Sequence, residues 1–138
     1  MQEYGRILLP VPNKLAVIIL NWRIINMDFK DQPFIPMLFG GDINTYSVAR
    51  AFYEEYQVKT YVFGKFPSGP SYNSNIIEYH ADLKIDTDDV FMKTVCDFAA
   101  AHADKTVLTI GCGDSYVALC SRHKDEMPEN VVAPYIDF

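Results

Sequence analysis

The chain has 138 residues, the size of a single domain. At 49% hydrophobic, 14% aromatic and 22% charged residues it is neither disordered nor collagen-like, and a core of this size needs no metal or disulfide staple. Twelve Lys and Arg against eighteen Asp and Glu, with no basic run, deny it the counterion-releasing surface of a nucleic-acid binder, so no nucleic-acid partner is expected.

Cys96, Cys112 and Cys120 are an odd number, at spacings that suit neither a zinc pair nor a secreted disulfide framework, which points to a reducing cytoplasm. The longest apolar run, Leu15 to Leu20 with Ile24 and Ile25 beyond, is too short and interrupted to span a bilayer. Glu3 also spoils it as a signal peptide, so no membrane association is expected.

Residues 1–26 carry one acid against three bases, leaving seventeen acids and nine bases to residues 27–138. That charge shift marks a boundary, and residues 1–32 are read as an N-terminal extension or linker. Pro10, Pro12 and Asn13 are expected to break regular structure, and Lys14 to Ile25 then reads as a short strand or helix. Met27 as the natural start and an ordinary N-terminal strand with linker are equal readings.

From Phe34 strands and helices alternate. Phe34 to Phe39 is a continuous apolar run closed by Gly40-Gly41, the pattern of a parallel strand buried on both faces, with Pro36 an awkward centre. Asp42 to Tyr56 reads as a helix capped by Asp42 or Asn44, with Ile43, Val48, Ala49, Phe52 and Tyr53 as its buried stripe. Lys59 to Phe63 is a second strand, Lys65 to Asn75 a surface loop by composition, and Ile76 to Tyr79 a third strand.

Asp86-Thr87-Asp88-Asp89 opens a helix to about Ala103 that buries Val90, Phe91, Thr94, Val95, Phe98 and Ala99. Lys105 to Ile110 is a fourth strand, closed by Gly111-Cys112-Gly113-Asp114. A helix from Ser115 to about His123 and a strand from Val131 to Ile136 complete the pattern. Five strands and three helices in near-strict alternation predict a three-layer α/β fold with an open, mostly parallel sheet.

Such sheets bind ligands beyond the carboxyl ends of their strands. Two strand-to-helix turns fall there, each glycine-rich and each followed by an acid with a hydroxyl or amide residue. Gly40, Gly41, Asp42 and Asn44 from the first, with Gly113, Asp114 and Ser115 from the second, are the expected substrate-binding residues of one shared pocket. No catalytic or metal-binding residue is assigned within the chain: His80, His102 and His123 are scattered, and Cys112 reads as a small packed residue rather than a nucleophile. Most of the aromatic residues read as packing, with Tyr72 in the polar loop a loop anchor or a ligand cover.

Thr106 to Asp114 has the apolar strand and GxG turn of S-adenosylmethionine methyltransferases, but that motif normally opens its sheet and here about 25 residues follow it. Phe34-Ile35-Pro36-Met37-Leu38-Phe39-Gly40-Gly41-Asp42-Ile43-Asn44-Thr45, then Ile110-Gly111-Cys112-Gly113-Asp114-Ser115-Tyr116, then Val132-Ala133-Pro134-Tyr135-Ile136-Asp137-Phe138 together resemble a different family. The three segments, in this order, resemble the N-terminal, preATP-grasp domain of D-aspartate ligase-like ATP-grasp enzymes, relatives of the carbamoyl-phosphate synthase-like ligases. The resemblance spans roughly residues 33–138 and implies a Rossmann-like sheet; Pro36 suits that family's opening.

It further implies a carboxylate–amine ligase that uses ATP and Mg2+ to make an acyl phosphate, which an amine then attacks; the best-known relatives join D-aspartate to a peptidoglycan precursor. The ATP-gripping lysines and Mg2+-binding carboxylates of that family lie in following domains, so the chain by itself is expected to be inactive and to bind no cofactor. Expected partners are a small carboxylate or amine substrate and the enzyme's own C-terminal ATP-grasp domains, with room for a homodimer. The competing class is a non-catalytic α/β small-molecule-binding module on the same scaffold; the methyltransferase stands third.

Overall fold

The computed structural model describes residues 28–136; the element expected at 14–25 lies outside them. In chain order the elements are β1 (Phe34–Phe39), α1 (Ile43–Tyr56), β2 (Thr60–Gly64), β3 (Ile77–Ala81), α2 (Asp88–Ala101), β4 (Thr106–Gly111), α3 (Asp114–His123), a 3-10 turn (Lys124–Glu126) and β5 (Val131–Val132). The five strands form one open sheet in the order β3-β2-β1-β4-β5. Every neighbouring pair is parallel, so the sheet is parallel throughout rather than mostly so.

The apolar run of β1 makes it the central strand. Its period-2 alternation sends Ile35, Met37 and Phe39 into a cluster with Phe91, Val95, Phe98 and Ala99 of α2 and Leu119 and Cys120 of α3. Leu38 faces the other way, toward Ala49 of α1 with Val62, Ile76 and Ile77. Each fully buried side chain of this kind contributes about 1.5–3 kcal/mol, and two such faces make the three layers.

Pro36 costs less at this position than its place in the strand suggests. Gly40 N–H bonds to Phe63 O of β2, and alternation puts the Pro36 nitrogen on that same side. Pairing with β2 starts only at Met37, so the donor that proline lacks falls before that ladder begins, while pairing with β4 runs through Pro36 unbroken.

Two sequence-based expectations need correction. Ile43 is 60% exposed rather than part of the buried stripe. It lies six residues before Ala49, about 240° around the helix, while Thr45 and Ala49 take the face toward the sheet. The last strand is two residues long rather than six. Pro134 cannot donate to a ladder, Tyr135 N–H turns back to Ala133 O, and the Tyr135 hydroxyl accepts from Gly111 N–H at 2.5 Å. The segment after Val132 thereby covers the end of β4 instead of extending β5.

The α2 start also differs in detail. Thr87 holds the cap position, but its hydroxyl donates to Lys84 O at 2.7 Å and makes no cap bond. Asp88 accepts instead from Arg122 at 2.6 Å and pairs with His123 at 2.5 Å, which ties the start of α2 to the end of α3. At the other end of α2 the Asn130 amide donates to Ala99 O at 3.0 Å, beside the His102 N–H that the same carbonyl accepts at 3.3 Å.

Candidate functional site: a cleft where strand order reverses

From β1 the chain passes through α1 to β2 on one side; from β3 it crosses back to β4 on the other. The carboxyl ends of adjacent β1 and β4 therefore launch helices onto opposite faces, leaving a crevice between them. A cleft of about 460 Å³ occupies that point. Gly40, Gly41 and Asp42 form one wall, Cys112, Gly113, Ser115 and Tyr116 a second, and Lys65, Phe66, Ser68, Gly69 and Pro70 with Tyr79 a third.

The first wall is built tightly. Gly40 takes φ +143°, and a Cβ there would come within 2.4 Å of Thr45 Oγ1. Asp42 caps α1: its Oδ1 accepts from Thr45 N–H at 3.1 Å and from the Thr45 hydroxyl at 3.2 Å, and its Oδ2 accepts from the Asn44 amide at 3.4 Å. Both carboxylate oxygens thus serve the turn itself.

The second wall is more open. Gly113 stands at the cap position of α3 with φ +156°, and no side chain caps the helix. The first-turn N–H groups of α3, a ten-residue helix, provide the positive end of a helix dipole at the cleft rim. Burial pushes the neighbouring Cys112 thiol up to about 11, only partly offset by its hydrogen bond to Thr45, which keeps it protonated at neutral pH. Burial, with Asp86 and Tyr79 adding to it, pushes the Tyr116 hydroxyl up to about 12 and keeps it a proton donor.

The third wall is the connection between β2 and β3, read from composition as a surface loop. It folds back over the first turn. Ser71 is fully buried and its hydroxyl donates to Asp42 O at 3.4 Å. The Tyr79 hydroxyl donates to Phe66 O at 2.7 Å, and Tyr72 packs edge-on against Tyr79 with ring centroids 5.7 Å apart. Tyr72 therefore anchors the loop and is not among the residues lining the cleft. Lys65 pairs with Asp86 just before α2 at 2.8 Å; this bond draws the Asp86 carboxyl below its ordinary range.

Of the residues singled out from sequence, Gly40, Gly41, Asp42, Gly113 and Ser115 meet around this cleft. Asn44 and Asp114 stand in the first turns of their helices, outside its lining. Lys65, Phe66, Tyr79 and Tyr116 were not singled out. The signal for Lys65 was its position directly after a strand, at the same carboxyl edge as the two glycine turns. Among the described residues no group of three or more His, Cys, Asp or Glu is placed to hold a metal ion, and no helix is long and apolar enough to cross a membrane.

Fold and cleft together define an open, doubly wound parallel α/β domain with a ligand-sized crevice at its switch point. No family model matches the chain, nor does any solved structure. D-aspartate ligase of Enterococcus faecium (strain Aus0004) is 36% identical to it over 112 residues, 79% of this chain and 27% of the ligase. The chain is homologous to that part of D-aspartate ligase, an ATP-grasp enzyme.

Proposed function

We propose that residues 33–138 are the N-terminal, substrate-side domain of an ATP-dependent carboxylate–amine ligase that works through an acyl phosphate, with D-aspartate as the acid joined to a peptidoglycan precursor. The observation that carries this reading is the 36% identity to D-aspartate ligase across 79% of the chain. Its location in the sheet supports it, since the glycine turns that carry the resemblance meet around one cleft.

In this reading the domain binds and orients the small substrate, and ATP and Mg2+ are held by other parts of the full-length enzyme, in keeping with the 27% of the ligase that the chain matches. Gly40, Gly41, Gly113 and Ser115 shape the substrate cleft and Asp42 holds its first wall through the cap on α1, with Asn44 and Asp114 directly behind them at the starts of α1 and α3.

The test is to titrate the chain with D-aspartate by isothermal calorimetry and, separately, to assay it for phosphate release from ATP. Saturable D-aspartate binding without hydrolysis is expected. Amine-dependent phosphate release by this chain alone would overturn the division of labour. Failure to bind D-aspartate would turn the assignment toward a binding module for another small molecule.

A further inference from the structure

The two faces of the sheet are covered unequally. Helices α2 and α3 both pack on the face that carries Ile35, Met37, Phe39 and Val107, whereas among the described residues α1 is the one helix on the other face, lying over β1 and β2. Strand β4 shows the difference residue by residue. Val107 and Thr109 are fully buried, while Leu108 and Ile110, which alternation turns to the α1 face, are only half-buried. The register carries this row outward, pairing Pro36 with Leu108 and Leu108 with Val132, and Val132 is 45% exposed.

Helix α1 is open on the same side. Tyr46 stands toward β3, beside Ile76. Val48 lies about 200° further round the helix and so faces the β4 side. A groove of about 470 Å³ runs along that flank, lined by Val48, Ala51, Phe52 and Tyr56 together with Glu55. Glu54 is paired with Arg50 at 2.7 Å, but Glu55 has no ion pair among the described residues.

The chain carries a segment of matching chemistry. Residues 14–25, outside the described part, hold nine apolar residues in twelve, two bases in Lys14 and Arg23, and no acid. Such a run needs apolar cover, and the groove and the open strip of β4 and β5 need an apolar partner. The attachment is close at hand. Phe29 packs edge-on against Tyr53 with ring centroids 5.9 Å apart, Lys30 N–H donates to Gln57 O at 2.9 Å, and the Gln32 amide donates to Tyr56 O at 3.1 Å, all at the C-terminal end of α1. Residues 26–28 reach roughly 10 Å, about the width of a helix. A tether that short gives an effective concentration of millimolar order, well above that of a second copy in dilute solution.

We propose that residues 14–25 seat in the α1 groove of their own chain and cover the open side of β4 and β5, with Arg23, nearest the tether, meeting Glu55. Trp22 is the chain's one tryptophan, so its fluorescence reports on this segment alone. The experiment records the emission maximum and acrylamide quenching of the full chain and of its Ala51→Lys, Glu55→Lys and Leu83→Lys variants, with circular dichroism as the control for folding and light scattering for mass. The parent should show blue-shifted emission and weaker quenching than free tryptophan, both unchanged on dilution. Ala51→Lys, which puts a charged chain into the groove, should shift the emission to the red and raise quenching toward that of free tryptophan. Glu55→Lys should do so to a smaller extent, and adding Arg23→Glu should restore the parent's values. Leu83, 65% exposed in the β3–α2 connection, serves as the remote control, and Leu83→Lys should change neither reading.

If Trp22 in the parent is quenched as readily as free tryptophan, the groove is unoccupied and the proposal fails. If it is shielded but stays so in Ala51→Lys and Glu55→Lys, the segment seats elsewhere. If shielding is lost on dilution as the mass falls from dimer to monomer, the occupant is a second copy. Ala51 and Glu55 are both exposed, so the fold should survive either change; should Ala51→Lys lose helical signal, Glu55→Lys and its reversal by Arg23→Glu decide the matter alone.

Discussion

The two glycine turns at the centre of the sheet look equivalent as strings of residues, yet the structure uses them in opposite ways. At Gly40-Gly41-Asp42 the carboxylate is turned inward to cap α1, and the turn is sealed by Thr45. At Gly111-Cys112-Gly113 no side chain caps α3, and the helix start is left at the cleft rim. A strand-to-helix turn can thus spend its polar groups on its own helix or leave them for a ligand, and the capping bond distinguishes the two.

The largest expected effect comes from the glycines themselves. Gly40→Ala must place a methyl 2.4 Å from Thr45 Oγ1 in a backbone conformation that L-residues avoid, and is predicted to cost about 3 kcal/mol or more. Gly113→Ala carries the conformational strain without the collision, since its new Cβ would meet nothing nearer than Tyr116 Cδ2 at 3.8 Å; about 1–2 kcal/mol is expected. Urea denaturation of the two variants checks this, and equal losses would erase the distinction between a sealed and an open turn.

Asp42→Ala sharpens the same comparison at smaller scale. Losing the cap should cost about 1 kcal/mol of stability, because Thr45 N–H loses its partner at the start of α1. Affinity for D-aspartate should stay within about twofold of the parent, a difference of a few tenths of a kcal/mol. If calorimetry instead shows binding abolished in a variant whose stability is intact, the first turn is the ligand site and the assignment of the two turns must be exchanged.

Much of the fold that carries the two turns was legible in the sequence, although the contrast between them was not. Unbroken apolarity marks β1 as a strand buried on both faces, and the stripe from Val90 to Ala99 marks the inner face of α2, because burial leaves a periodic trace. The cap at Asp42 was one of two options in sequence, and only the geometry shows that Asn44 supports Asp42 rather than replacing it. The role of the β2–β3 connection was not legible. Its Pro, Gly and Ser content describes a loop correctly but says nothing of where the loop folds, and the burial of Ser71 and the anchoring by Tyr79 arise from contacts 29 and 13 residues apart. Ile43 misled for a related reason: apolar residues in a helix's first turn need not point at the sheet.

The effect that is smallest at neutral pH concerns the cysteine in the open turn. Proximity to the start of α3 would draw a thiol toward the thiolate, whereas burial drives it the other way and pushes Cys112 up to about 11. Cys120, buried inside α3, is pushed up to about 11 as well, again by burial first. A group whose pKa is raised by folding stabilises the fold fully below its unfolded value, near 9, and that contribution disappears as pH climbs through the folded value. Stability should therefore hold up to about pH 9 and decline between about 9 and 11, with Cys112→Ser flattening part of the decline. Alkylation followed by mass spectrometry offers the sharper reading: at pH 8 the exposed Cys96 should react first and Cys112 no faster than Cys120. Rapid modification of Cys112 would mean that the helix start dominates over burial at this turn, and the open wall of the cleft would then carry an activated thiol rather than an inert one.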